Sequence, residues 1–185
     1  MKGLVLSIGL AIGLITSAVP LHAAPSQSEL QVGSAFPAFS GRTITDYSLT
    51  LPASPTDKPT VLVFSFSRTA GKDARLWNEH LAKDFPYTVS AYGVIQLESA
   101  PKLIRRLAIS GIKSSMPVSV QNRTIVLYRD DQLWKQRLGV KDESRAYAVL
   151  LDRSGTICWI NAGAFSDGTY LSLRAKISTL LWQHP

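Results

Sequence analysis

The strongest constraint on the fold is an alternation. Short runs of β-branched and aromatic residues are separated by stretches with helical spacing. Thr60–Phe66 (TVLVFSF) follows Pro59 and has the length and composition of a buried strand. Ser67–Lys72 (SRTAGK) is expected as a turn. Ala74, Trp77, Leu81 and Phe85 then recur every three or four residues, the stripe of an amphipathic helix that Pro86 ends. A second strand is expected at Thr88–Ile95. Ser99 is placed to cap a helix with Pro101 in its first turn, Leu103, Ile104, Leu107 and Ala108 on its core face, and Gly111 closing it. Thr124–Tyr128 is a third strand and Asp130–Leu138 a short helix stopped by Gly139. Ala146–Leu151 and Thr156–Asn161 form a hairpin around Asp152–Gly155, where glycine can take positive φ. Ser166 caps a last helix with Tyr170, Leu173, Ile177 and Leu180 on one side. Residues 38–59 read as irregular or weakly stranded. Strands alternating with helices imply an α/β domain: a mostly parallel central sheet, helices on both faces, and an antiparallel terminal hairpin.

The N-terminus points to export. Lys2 precedes an uncharged run from Leu4 to Val19, and Ala23 and Ala24 are small. This is the pattern of a secretory signal, and the run is short for a spanning helix of about 20 residues. Residues 1–23 are therefore expected as a signal peptide and 24–185 as one domain, periplasmic or secreted, or membrane-associated if the signal is retained. Cys158 is the sole cysteine, which excludes an internal disulfide. The charge is uneven: residues 102–145 hold ten Lys or Arg against four Asp or Glu. Such a field attracts an acidic protein or an anionic membrane surface. Nucleic acid is not expected, because no binding motif is present.

Three segments resemble the thioredoxin-like and peroxiredoxin-like superfamily: Val32–Phe39 (VGSAFPAF) its opening, Lys58–Phe64 (KPTVLVF) its first central strand, and Leu150–Trp159 (LLDRSGTICW) its closing hairpin. The resemblance covers about residues 32–182 and implies a three-layer thioredoxin-like sandwich. Family chemistry lies just after the first central strand, where a C-x-x-C pair opens a helix whose dipole lowers the thiol pKa. The pattern puts Ala70 and Asp73 at the two cysteine positions, within Ser67, Arg68, Thr69, Ala70, Gly71, Lys72 and Asp73. Asp73 can stabilise the helix start, and neither residue can exchange a disulfide. Thr69 cannot replace a peroxidatic cysteine. The family's cis-proline maps near Ala146, where a trans bond is expected. Two cysteine-poor groups are similar. One is the mitochondrial ATP synthase assembly-factor family, matched at Tyr147–Asp152, Ile157–Trp159 and Gly163–Phe165. The other is a set of bacterial periplasmic thioredoxin-like proteins that share the signal, the length and the hairpin.

The remaining candidates are few. In a regular strand Ile157 and Trp159 share one face, and Cys158 and Ile160 the other. Cys158 is then a small buried hydrophobe or, alternatively, a one-cysteine redox centre or intermolecular link. His80 and His184 lack the companions a metal site needs. Ser65 and Ser67 lack a His–Asp set. Arg68, Lys72 and Arg75 could form an anion-binding helix start or be ordinary surface charges. Arg105, Arg106 and Lys113, expected to face away from the Leu103–Leu107 stripe, are candidate partner contacts. Asn122–Thr124 is a formal glycosylation triplet. No cofactor is implied. The expectation is an exported protein without thiol–disulfide catalysis that binds or helps assemble a protein of the cell envelope. The alternative is an atypical redox protein using Cys158.

Overall fold

The computed structural model describes residues 29–53 and 55–183. The proposed signal peptide and His184 lie outside them. Seven strands form one sheet: β1 (Phe39–Thr43), β2 (Ser48–Leu51), β3 (Thr60–Ser65), β4 (Ser90–Gln96), β5 (Thr124–Leu127), β6 (Tyr147–Leu151) and β7 (Ile157–Ala162). The helices are α1 (Arg68–Asp84), α2 (Lys102–Ser115), α3 (Val118–Gln121), α4 (Asp131–Arg137) and α5 (Asp167–Gln183). The strand order is β2-β1-β5-β4-β3-β6-β7. Pairing is parallel in the centre, β3 with β4 and β4 with β5, and antiparallel on both flanks.

Strand β3 shows why the sheet is covered twice. Its side chains alternate, so Leu62 and Phe64 enter one core and Val61 and Val63 the other. In the first core Trp134 of α4 stacks on Phe36 and Phe64, at centroid distances of 5.8 and 5.2 Å. In the second, Trp77 and Leu81 of α1 meet Tyr170, Leu173 and Ile177 of α5. The predicted stripes of the first and last helices are thus the buried faces of α1 and α5. Both cores close on residues between Leu30 and Leu181.

Four local expectations are corrected. Residues 38–59, read as irregular or weakly stranded, are in part the β1–β2 hairpin, whose exposed Ser and Thr positions hid its alternation; Asp46 takes a positive φ of 71° in its turn. Gly41 sits where a Cβ would fall 2.4 Å from Ile125 Cγ2, so a side chain there would have to displace the neighbouring β5 side chains. Helix α1 begins at Arg68 rather than after Lys72, because the Ser67 hydroxyl accepts from the Ala70 amide at 3.1 Å and caps it there. Helix α2 is uncapped by any side chain, with Pro101 and not Ser99 at its N-cap; it passes through Gly111 to Ser115. Its predicted core face is not buried: Leu103, Ile104 and Leu107 are 71%, 50% and 63% exposed.

The fourth correction concerns Cys158. Leu150 pairs with Trp159 and Leu151 with Ile157, leaving Cys158 as the extra residue of a β-bulge. The bulge breaks the alternation. Ile157 and Ile160 face the first core, while Cys158 and Trp159 pack against the second.

Candidate functional site

The segment that follows β3 is closed by its own hydrogen bonds. Ser67 caps α1 and also donates through its hydroxyl to the Glu143 carbonyl at 2.6 Å, holding the loop before β6 over the helix start. Glu143 is fixed in turn by Lys135, whose ammonium lies 2.8 Å from the carboxylates of both Glu143 and Asp131. Burial works against the Lys135 charge, yet the hydrogen bonds to Asp131 and Glu143 hold its pKa above the ordinary lysine value. Below this lid, Phe66 meets Tyr147 edge-on at 6.2 Å. The Tyr147 hydroxyl accepts from the amides of Lys141 and Asp142 and donates to the Asp142 carbonyl.

The two positions matched to exchange cysteines have different fates. Ala70 is wholly buried. Asp73 lies beyond the first turn of α1, so it is not a charge at the helix start as the sequence suggested. Its carboxylate crosses to two other elements. One oxygen accepts from the Ala146 amide at 2.9 Å, at the threshold of β6; the other accepts from the Phe165 amide at 2.8 Å, in the β7–α5 loop. A single side chain thereby joins α1, β6 and the approach to α5. Sequence reading missed this role because the partners are 73 and 92 residues away. The Arg145–Ala146 bond is trans; the cis peptide among the described residues is Leu51–Pro52.

Cys158 is remote from this segment. Leu151 pairs with both Thr60 and Ile157, which puts the start of β7 level with the start of β3. Ser67 follows the opposite end of β3, about 15 Å or more along the strand. The Cys158 thiol donates to the Thr156 carbonyl at 3.6 Å. Burial, followed by the nearby Asp152 carboxylate, pushes its pKa up, which disfavours the nucleophilic thiolate.

The other candidates do not converge. Arg75 pairs with Glu79 one helical turn on, at 2.7 Å, and Arg68 and Lys72 are exposed. His80 shares a ring cluster with Phe165 and Tyr170. Ser65 is buried beside the Val94 carbonyl. Asn122 accepts from the Thr45 hydroxyl. Arg105 is half-buried, bonded to the carbonyls of Ala100 and Glu98 and 5.6 Å over the Tyr128 ring, so it braces α2. Arg106 and Lys113 are exposed. Among the described residues no group of three or more His, Cys, Asp or Glu is placed to hold a metal ion, and no helix is long and apolar enough to cross a membrane.

Neither a protein-family model nor a curated protein matches this sequence. Solved structures do match in fold. The thioredoxin domain of a thiol-disulfide oxidoreductase from Bacteroides vulgatus is 19% identical, with a TM-score of 0.57 over 80% of this chain and 99% of that one. An exposed lipoprotein thioredoxin from Streptococcus pneumoniae gives 15% and 0.57 over 76% and 99%. A peroxiredoxin-like protein from Aquifex aeolicus gives 14% and 0.54 over 80% and 89%. With this topology and these neighbours, and with Cys158 as its sole thiol, the chain is a thioredoxin-fold protein that carries no C-x-x-C pair.

Proposed function

We propose that this is an exported protein that uses the thioredoxin-like scaffold to hold a protein of the cell envelope, without thiol–disulfide exchange. The observation that carries the reading is Asp73: at a position matched to an exchange cysteine, both carboxylate oxygens are bound by backbone amides of other elements. Asp73 makes this part of α1 a fastening. Burial of Ala70 and the distant, hard-to-ionise Cys158 support the same reading. Export rests on the signal-like N-terminus, and the exposed lipoprotein thioredoxin is a neighbour consistent with it.

Cross-linking in envelope preparations tests it, comparing the chain with Cys158→Ser. A discrete heterologous product that forms equally with both and survives reductant is the expected result. A product released by dithiothreitol and absent from Cys158→Ser is a mixed disulfide, and it would overturn the reading.

A further inference from the structure

Helix α2 presents an apolar row to solvent in a fold that otherwise buries its stripes. None of its residues is buried. Its half-buried residues, Arg105, Ala108, Ile109 and Ile112, lie on one side. At roughly 100° per residue, Leu103, Leu107 and Ile104 occupy an outward arc of about 100°, and Lys102, Arg106 and Lys113 form a tight row beside it. Val118, just past the helix, is 71% exposed. The helix is held mainly near its ends. Arg105 ties the first turn to the carbonyls of Glu98 and Ala100, and Gln121 donates to the carbonyls of Lys113 and Met116. Charge is one-sided: residues 99–129 contain six Lys or Arg and no Asp or Glu.

The geometry points to α2 as the face by which this protein lies on an anionic phospholipid surface. Leu103, Ile104, Leu107 and Val118 would enter the headgroup boundary, while Lys102, Arg106 and Lys113 reach lipid phosphates. An apolar arc flanked by basic side chains on a convex helix is the form of an interfacial helix. The alternative occupant, an acidic protein, is disfavoured by size. Four aliphatic side chains offer a few hundred Å², short of the roughly 800 Å² each partner gives a standard protein interface. A lipid surface needs only the ridge and its charges. This inference is independent of the protein-holding role proposed above.

Residues 24–185 contain both cores and are the species to test. Sedimentation with phosphatidylcholine vesicles is compared with vesicles containing about 30% phosphatidylglycerol, at 100 and 500 mM NaCl, because salt screens such attraction. Two triple variants are used: Lys102→Glu/Arg106→Glu/Lys113→Glu, and Leu103→Ser/Ile104→Ser/Leu107→Ser. Neither removes a core residue, and unchanged circular dichroism and Tm verify that each folds. Expected is binding to the anionic vesicles alone, weakened by salt, with partitioning reduced about 100-fold by charge reversal and at least tenfold by the serine variant. Absence of binding, equal binding to neutral vesicles, or binding unmoved by either folded variant overturns the assignment. Saturable binding of an acidic protein to this face without vesicle binding would replace lipid with protein as its occupant. Should the serine variant fail to fold, the charge-reversal variant alone decides.

Discussion

Replacing Asp73 by alanine probes the fastening that stands where an exchange thiol is expected. The carboxylate accepts two backbone hydrogen bonds, from Ala146 at 2.9 Å and Phe165 at 2.8 Å, in a part-buried setting. A hydrogen bond to a charged group contributes about 1.5–3 kcal/mol, and losing the acceptor leaves a desolvated N–H. Ala146 is wholly buried, but Asp73 and Phe165 are half-buried, so water can recover part of that loss. The expected cost of Asp73→Ala is therefore about 2–4 kcal/mol. Asp73→Asn keeps the shape but offers one acceptor and turns an NH₂ toward the other amide, so about half that cost is expected. A domain of this size is stable by about 5–15 kcal/mol and survives either change. Equilibrium urea unfolding of residues 24–185 measures both, with an unchanged m-value as the sign that the native fold persists. A loss below about 0.5 kcal/mol for Asp73→Ala would refute the argument, because the carboxylate would then fasten nothing.

Gly41→Ala places a methyl 2.4 Å from Ile125 Cγ2 and 2.8 Å from Leu127 Cδ2, so it should destabilise by about 1–3 kcal/mol in the same urea titration. Cys158, half-buried and with its pKa pushed up, should alkylate slowly in the native protein at pH 7.5 and rapidly in denaturant; equal rates would contradict its placement. Hydrogen bonds from the Ser144 hydroxyl, the Ser144 amide and Arg145 lower the Asp142 pKa to about 2. Burial opposes the same effect at Asp152, yet bonds from Ser154, Thr156 and Gly155 lower its pKa too. A depressed folded-state pKa means that the unfolded chain binds more protons. The stability these groups contribute is complete above the ordinary carboxylate value and is lost as pH falls from about 4 toward 2. A melting temperature that drops across this window, less steeply in Asp142→Asn, is the expected outcome.

What the sequence disclosed was whatever carries periodicity or local chemistry. The stripes of α1 and α5, the buried apolar run of β3 and the Asp152–Gly155 turn are local patterns, and the structure keeps them. Three features escaped for three reasons. The β1–β2 hairpin is short and half polar, so its two-residue period had too few apolar points. Helix α2 has a spacing that tertiary structure leaves facing solvent, and spacing alone does not distinguish a buried face from an exposed one. At Cys158 one inserted residue moved Trp159 to the opposite face, which strict alternation forbids. The lack of a C-x-x-C pair was visible in the sequence. The use made of Asp73 was not, because only folding brings Ala146 and Phe165 to it.

The most direct measurement is insulin-disulfide reduction by residues 24–185 with dithiothreitol as electron donor, run beside Cys158→Ser. Both proteins are expected to leave the rate at that of dithiothreitol alone. An acceleration by the parent chain that Cys158→Ser abolishes would contradict this expectation and make this a one-cysteine redox protein.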